Sequence, residues 1–225
     1  MIKIVFENEN FVVCDKPSQV LSTPDRHGSD RGCLGLELQK KLNIQIYPVH
    51  RLDFEVSGLI MYAKNKRAHQ ISQSWFMDKT VTKKYLALTS LQDFSHWPEN
   101  VQTAREILKT EPGTHFFWKT QIQRGKRRSF ESTHGEWAET KAEVESVSDG
   151  VIRWNLYPLT GKPHQLRLEL SRRGFPILGD VLYGSKVQIT QDVWMFGSMA
   201  LRAVEIDFTA LQDRLGLPDQ IVLQK

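Results

Sequence analysis

Five residues between positions 50 and 57 carry groups able to move protons or attack carbon: His50, Arg51, Asp53, Glu55 and Ser57. An ionised carboxylate can serve as a base or as a nucleophile. Asp53 and Glu55 could act as a glycosidase-like carboxylate pair, but alternate spacing in a loop suits such a pair poorly. Ser57 lacks a GxSxG setting and has only His50 near it in sequence, which argues against serine hydrolysis. A second polar group runs from Thr160 to Arg167. There Pro163 suits the first turn of a helix reaching about Arg172, with Gly174 placed to end it. Arg167 would then emerge on a fixed face while Leu166 and Leu170 pack inward, and its guanidinium offers bidentate geometry that lysine lacks. Taken alone, either group reads more readily as ion pairs beside ordinary secondary structure than as a site.

The elements that would position these residues are legible from periodicity. Ile2 to Phe6 and Phe11 to Cys14 form a hairpin around the asparagines of Glu7-Asn8-Glu9-Asn10. Leu34, Leu38 and Leu42 repeat at helical spacing, residues 58–63 form a buried strand after the 50–57 loop, and a helix covers Lys66 to Asp78. Val81 to Leu88, Lys141 to Val147, Val151 to Tyr157 and Leu201 to Phe208 read as strands. Several strand pairs follow one another directly, so the expected class is α+β with a mixed, largely antiparallel sheet. The stretch after Phe208 is placed to cover a sheet edge.

With 225 residues, 40% hydrophobic and 25% charged, the chain is expected to fold as one catalytic domain over 1–225. A formal charge of +4 permits a polyanionic partner without requiring one. Cys14 and Cys33 have neither CxxC spacing nor a matching His pair, so no zinc site is expected. No P-loop, dinucleotide fingerprint or metal-ligand spacing is present. Without an N-terminal signal segment or an apolar run of about 20 residues, the expected location is the cytoplasm, away from any membrane.

Four segments in order change the reading of the polar groups. Asp15-Lys16-Pro17 with Val20-Leu21 resembles the early loop of the RluA family of RNA pseudouridine synthases, and residues 50–59 resemble its HRLDxxTSGL motif. Lys84-Tyr85-Leu86-Ala87-Leu88 is similar to the strand carrying that family's active-site tyrosine. Residues 160–167 resemble its TGRTHQIR helix start, and residues 176–184 its PILGDxLYG loop. Three departures are visible: Val56 replaces a threonine, Lys162-Pro163 replaces an arginine-threonine pair, and Leu201-Arg202-Ala203 stands where the family has Leu-His-Ala.

The resemblance implies the family's fold and activity, the isomerisation of chosen uridines in structured RNA. The N1 to C1′ bond breaks, the uracil turns while bound, and C5 joins C1′. Nothing is oxidised and no group is imported, so no cofactor and no metal are expected. It also implies catalytic roles for Asp53, Tyr85 and Arg167. Asp53 would attack or deprotonate the nucleoside. Arg167 would keep that carboxylate ionised in a water-poor pocket, and Tyr85 would stack on the extruded uracil. Arg51 would occupy the gap left by the flipped base. His50, Lys162 and His164 are further candidate RNA contacts, with His164 alternatively orienting the helix entrance. Arg202 reads as a phosphate contact or as an exposed side chain.

Residues 92–139 show no clear period and gather Pro, Gly, Trp and basic residues, so they read as a basic RNA-binding insertion. Lys126, Arg127 and Arg128, with Lys119 and Arg124 nearby, would meet phosphates, and Trp118 and Phe130 would stack on bases. Because the early loop starts at residue 15, the small RNA-binding domain that some relatives carry is not expected before it. The expected partner is thus a stem-loop of transfer RNA or of 23S-type ribosomal RNA, recognised by shape and unpaired bases by a monomer without an obligate protein partner. The rival readings are a nucleosidase, which would release free uracil, and a catalytically idle RNA-binding module.

Overall fold

The computed structural model describes residues 2–25, 30–95, 105–189 and 197–223. The chain divides into two compact units, one of Met1–Lys83, Trp194–Gly197 and Arg202–Lys225, the other of Lys84–Val193 and Ser198–Leu201. No helix among the described residues is long and apolar enough to cross a membrane.

The first unit opens with the expected hairpin, β1 (Lys3–Glu7) and β2 (Phe11–Lys16). The Asn8 side chain accepts hydrogen bonds from the backbone N–H of Asn10 (2.9 Å) and Phe11 (2.7 Å), which is why an asparagine-rich tetrad makes the turn. β2 pairs antiparallel with β4 (Ser57–Ala63), all of whose residues are buried. The short β3 (Tyr47–Pro48) joins the far end of β4, and β10 (Leu201–Asp207) runs parallel to its start. Helix α1 (Leu34–Leu42) buries Leu34 and Leu38, and α2 (Lys66–Met77) is capped by Asn65, whose side chain accepts from the Ala68 N–H at 2.8 Å. The C-terminal stretch adds β11 (Gln220–Val222) antiparallel to the end of β10, pairing backbone groups there.

The second unit is an antiparallel sheet in the order β5 (Thr82–Ser90), β9 (Val151–Pro158), β8 (Glu136–Ser148), β6 (His115–Arg124), β7 (Ser129–Glu131). β8 and β9 meet at Asp149-Gly150, both at positive φ (51° and 73°), the two-residue turn that matches strand twist. Helix α3 (Gln165–Ser171) packs on one sheet face with all seven residues buried. Trp154 lies in that core, its indole N–H donating to Thr89 Oγ1 at 3.0 Å. The class is therefore α+β with mostly antiparallel strands.

Two expectations change here. The segment read as irregular contains all of β6 and β7 and the start of β8; residues 96–104 of it lie outside the described residues. Trp118, Thr120 and Ile122 point inward on β6 while Phe117, Lys119 and Gln123 point out. A threonine inside and a phenylalanine outside hide that alternation from a hydrophobicity pattern. Trp118 is thus a core residue, 4% exposed and 5.8 Å from the Trp154 ring, and not the base-stacking side chain expected of it. Helix α3 also starts two residues after Pro163, because His164 sits in the left-handed region at φ 54°.

Candidate active site

Asp53 stands in the loop between β3 and β4, and that loop is pinned residue by residue. Ser22 Oγ donates to the Leu52 carbonyl (2.8 Å) and accepts from the Leu52 N–H (3.0 Å). Tyr62 Oη donates to the Ser22 carbonyl at 2.7 Å, so the clasp is itself held by the buried strand β4. Beyond Asp53, Lys16 Nζ donates to the Phe54 carbonyl (3.4 Å), Ser18 Oγ to the Glu55 carbonyl (2.7 Å), and the Val56 N–H to the Asp53 carbonyl (3.2 Å). Arg31 lies over the Phe54 ring at 4.8 Å. Every backbone neighbour of the carboxylate is thus fixed, and such fixing keeps a reactive group in one geometry. The early loop from Asp15 to Ser22, a mere proline turn by itself, supplies most of these anchors.

Lys16 is fully buried, donating also to the carbonyls of Pro17 (3.0 Å) and Val20 (2.8 Å). Burial lowers its pKa to about 8, while the negative charges of Asp53 and Glu55 resist the fall. Its unfolded value is the ordinary 10.5, so between pH 8 and 10.5 the unfolded chain binds more protons and this residue's contribution to stability rises with pH. The expected result is that urea unfolding of the wild type gains up to about 3 kcal/mol over that window relative to Lys16→Met. Parallel pH curves for the two proteins would show that Lys16 is not held in this way.

His50, expected to meet RNA, is turned into the first unit. Its Nε2 accepts the Met61 N–H at 3.3 Å, its ring tilts against Phe76 at 5.4 Å, and its Nδ1 is enclosed. Burial and the Lys83 charge push its pKa down to about 3, so the ring is neutral at physiological pH. That placement makes it a brace between loop and β4. Arg51, next in sequence, is exposed. Arg202 is neither exposed nor placed for phosphate: it is 6% exposed, and its Nη2 donates to both Asp15 oxygens at 2.9 and 2.8 Å.

In the second unit Tyr85, on β5, is 7% exposed and lies opposite Leu156 of β9. Arg167 is 2% exposed on α3, and Asp180 grips it with a two-pronged pair, Nε to Oδ2 at 2.7 Å and Nη2 to Oδ1 at 2.8 Å. The reading from sequence did not single out Asp180; the only available signal was its place in the PILGD segment. A planar fork of this kind fixes both the position and the plane of a guanidinium.

The Thr160–Gln165 loop closes on the Gln165 amide. Its oxygen accepts from Thr160 Oγ1 (2.8 Å) and the Lys162 N–H (3.0 Å), and its nitrogen donates to the Glu139 carbonyl (3.0 Å) and Thr140 Oγ1 (2.9 Å). The Lys162 ammonium is paired with Glu136. His164 Nε2 lies 3.2 Å from Arg124 Nη1 and its Nδ1 3.1 Å from Tyr183 Oη. Because guanidinium only donates, Nε2 is the acceptor and Nδ1 carries the proton. Lys126, Arg127 and Arg128 are exposed in the turn between β6 and β7, which is closed by the Gly125 N–H to the Arg128 carbonyl at 3.0 Å.

Comparison with known proteins points one way. Residues 10–172 match the family described as RNA pseudouridylate synthase. A dual-specificity RNA pseudouridine synthase RluA from Vibrio parahaemolyticus is 30% identical over 210 residues, covering 91% of this chain and 76% of that protein. The ribosomal large subunit pseudouridine synthase C of Rickettsia prowazekii is 30% identical over 86% of this chain. An uncharacterized RNA pseudouridine synthase of Helicobacter pylori is 33% identical over 81%. The chain spans only 60% and 58% of those two proteins. Among solved structures, Human RNA Pseudouridylate Synthase Domain Containing 1 superposes with a TM-score of 0.71 at 22% identity, covering 100% of this chain and 84% of that one, which shows a shared fold.

Proposed function

We propose that this chain, which belongs to the RNA pseudouridylate synthase family, isomerises particular uridines in stem-loops of transfer RNA or large-subunit ribosomal RNA, with Asp53 as the reacting carboxylate. Membership makes it an isomerase acting on RNA; target, base flipping and residue roles are our reading. The observation that carries it is the frame around Asp53, in which Leu52, Phe54, Glu55 and Val56 are each held by hydrogen bonds. A backbone fixed in this way suits a residue that must react in one geometry.

In this reading the stacked target uridine is swung out at a cost of a few kcal/mol. The exposed Arg51 fills its place, and its flat cation stacks on neighbouring bases. Asp53 then removes a C2′ proton or adds to the nucleoside. Tyr85 stacks on the loosened uracil, and Arg167 offsets the negative charge of the reaction. The Vibrio relative is called a dual-specificity RNA pseudouridine synthase and the Rickettsia relative a ribosomal large subunit enzyme, which supports an RNA target and large-subunit ribosomal RNA as one candidate. Mapping pseudouridine in total RNA from a deletion strain, before and after incubation with the purified chain, tests this. Restoration at discrete stem-loop uridines is expected, and no restored position would contradict it.

In the same reading the exposed turn bearing Lys126, Arg127 and Arg128 meets phosphate. Neutralising Arg127 and Arg128 together is expected to weaken RNA binding and to reduce the slope of log affinity against log salt by about 1 to 2. An unchanged slope in filter binding at several salt concentrations would remove the turn from the interface.

A further inference from the structure

One short segment of the second unit holds both Arg167 and the basic turn. Gly179 to Gly184 wraps around a single 3₁₀ turn, Val181–Tyr183. Its entry is tight, since a Cβ on Gly179 would lie 2.2 Å from the Ser198 carbonyl oxygen. At one end Asp180 forks onto Arg167, both side chains being almost wholly enclosed. At the other, the Tyr183 ring lies under the guanidinium, 5.2 Å from Cζ to centroid. The Tyr183 hydroxyl reaches the opposite way. It accepts the Ser129 N–H at 2.8 Å and lies 3.1 Å from both the Ser129 carbonyl and His164 Nδ1. Ser129 ends the basic turn, His164 meets Arg124 at the turn's start, and Arg128 Nη1 donates to the Leu182 carbonyl at 3.4 Å.

We propose that Asp180 and Tyr183 are positioning residues with separate tasks: Asp180 orients the Arg167 guanidinium for turnover, and the Tyr183 hydroxyl holds the Arg124–Arg128 turn in shape for RNA capture. This rests on the roles given above to Arg167 and to the turn. The division follows from chemistry. A carboxylate that takes Nε and Nη2 together sets the guanidinium plane, and hence the direction of Nη1. A phenol that holds both backbone groups of Ser129 sets the turn's geometry and touches Arg167 only with its ring. Asp180 should thus act on the rate of the bound complex, and the hydroxyl on its formation.

The test uses the full chain and tritium release from total RNA of a deletion strain grown on [5-³H]uridine, giving apparent kcat and KM for Asp180→Asn, Asp180→Glu, Tyr183→Phe and Arg167→Lys. Asp180→Asn is expected to lower kcat roughly 10- to 100-fold with KM within about twofold, and Asp180→Glu to restore part of it. Tyr183→Phe keeps the ring under Arg167, so kcat is expected to stay within about twofold while KM rises about three- to tenfold. Melting curves identify any variant that fails to fold; if Asp180→Asn does, a kcat loss in the folded Asp180→Glu protein supports the proposal, and unaltered kinetics there overturn it. Full turnover by Asp180→Asn beside an inactive Arg167→Lys overturns the inference alone. Full turnover by Arg167→Lys overturns the role of Arg167 and the inference with it. An unchanged KM for Tyr183→Phe overturns the hydroxyl's task.

Discussion

Asp53→Asn is expected to lower pseudouridine formation by about a thousandfold or more, with the melting temperature and RNA affinity close to wild type. The contacts that hold the loop go to backbone groups of Leu52, Phe54 and Glu55, and to the Asp53 carbonyl, and an asparagine leaves all of them in place. The change removes one negative charge and turns one carboxylate oxygen into an amide N–H donor. It also takes away one of the two charges that resist the fall in the Lys16 pKa, so in the variant that lysine should lose its proton below its wild-type value of about 8. Turnover within tenfold of wild type, measured with excess enzyme over RNA, would show that another group reacts.

The second large effect is on stability. Gly58 follows the loop at the start of β4, opposite Ala203 of the parallel strand β10. Its φ is +110°, and a Cβ there would lie 2.1 Å from the Ala203 carbonyl oxygen and 2.6 Å from its nitrogen. Both obstacles are backbone of a buried sheet, so no side chain can swing aside. Gly58→Ala is expected to cost about 4 kcal/mol or more, a fall in melting temperature of roughly 10 °C or loss of soluble protein. Gly161→Ala is the control, since nothing lies within 4 Å of the added carbon there. Equal melting of the two variants would refute the close approach. The Gly in the Leu-Asp-x-x-x-Ser-Gly run is thus demanded by the strand beside it.

Local pattern made much of the fold readable. The asparagine turn, the leucines of α1, the buried strand after the loop and the turn joining β8 to β9 lie within about two residues of their expected places, because each is set by neighbours in sequence. What stayed hidden depends on partners far along the chain. Lys16 looks like a surface lysine until carbonyls from Pro17, Val20 and Phe54 converge on it. Arg202 looks exposed until Asp15, 187 positions away, takes its guanidinium. Trp118 and Trp137 could not be ranked without the phase of β6 and β8; the structure buries the first and leaves the second 53% exposed. Likewise α3 was expected to show one buried face, yet all seven of its residues are enclosed. A short polar helix packed on a sheet must settle its charges by pairing, as Arg167 does with Asp180 and Glu169 with Arg173.

The fate of the base separates isomerisation from cleavage. Joining C5 to C1′ expels the hydrogen from C5, whereas simple cleavage of the N1 to C1′ bond leaves it on the uracil. Deletion-strain RNA labelled with tritium at uridine C5, incubated with wild-type chain and with Asp53→Asn, therefore gives a direct answer. Wild-type protein should release tritium into water, roughly one equivalent per pseudouridine formed, with all uracil retained in the RNA and no release by the variant. Labelled free uracil in the supernatant, or equal tritium release by both proteins, would contradict the account.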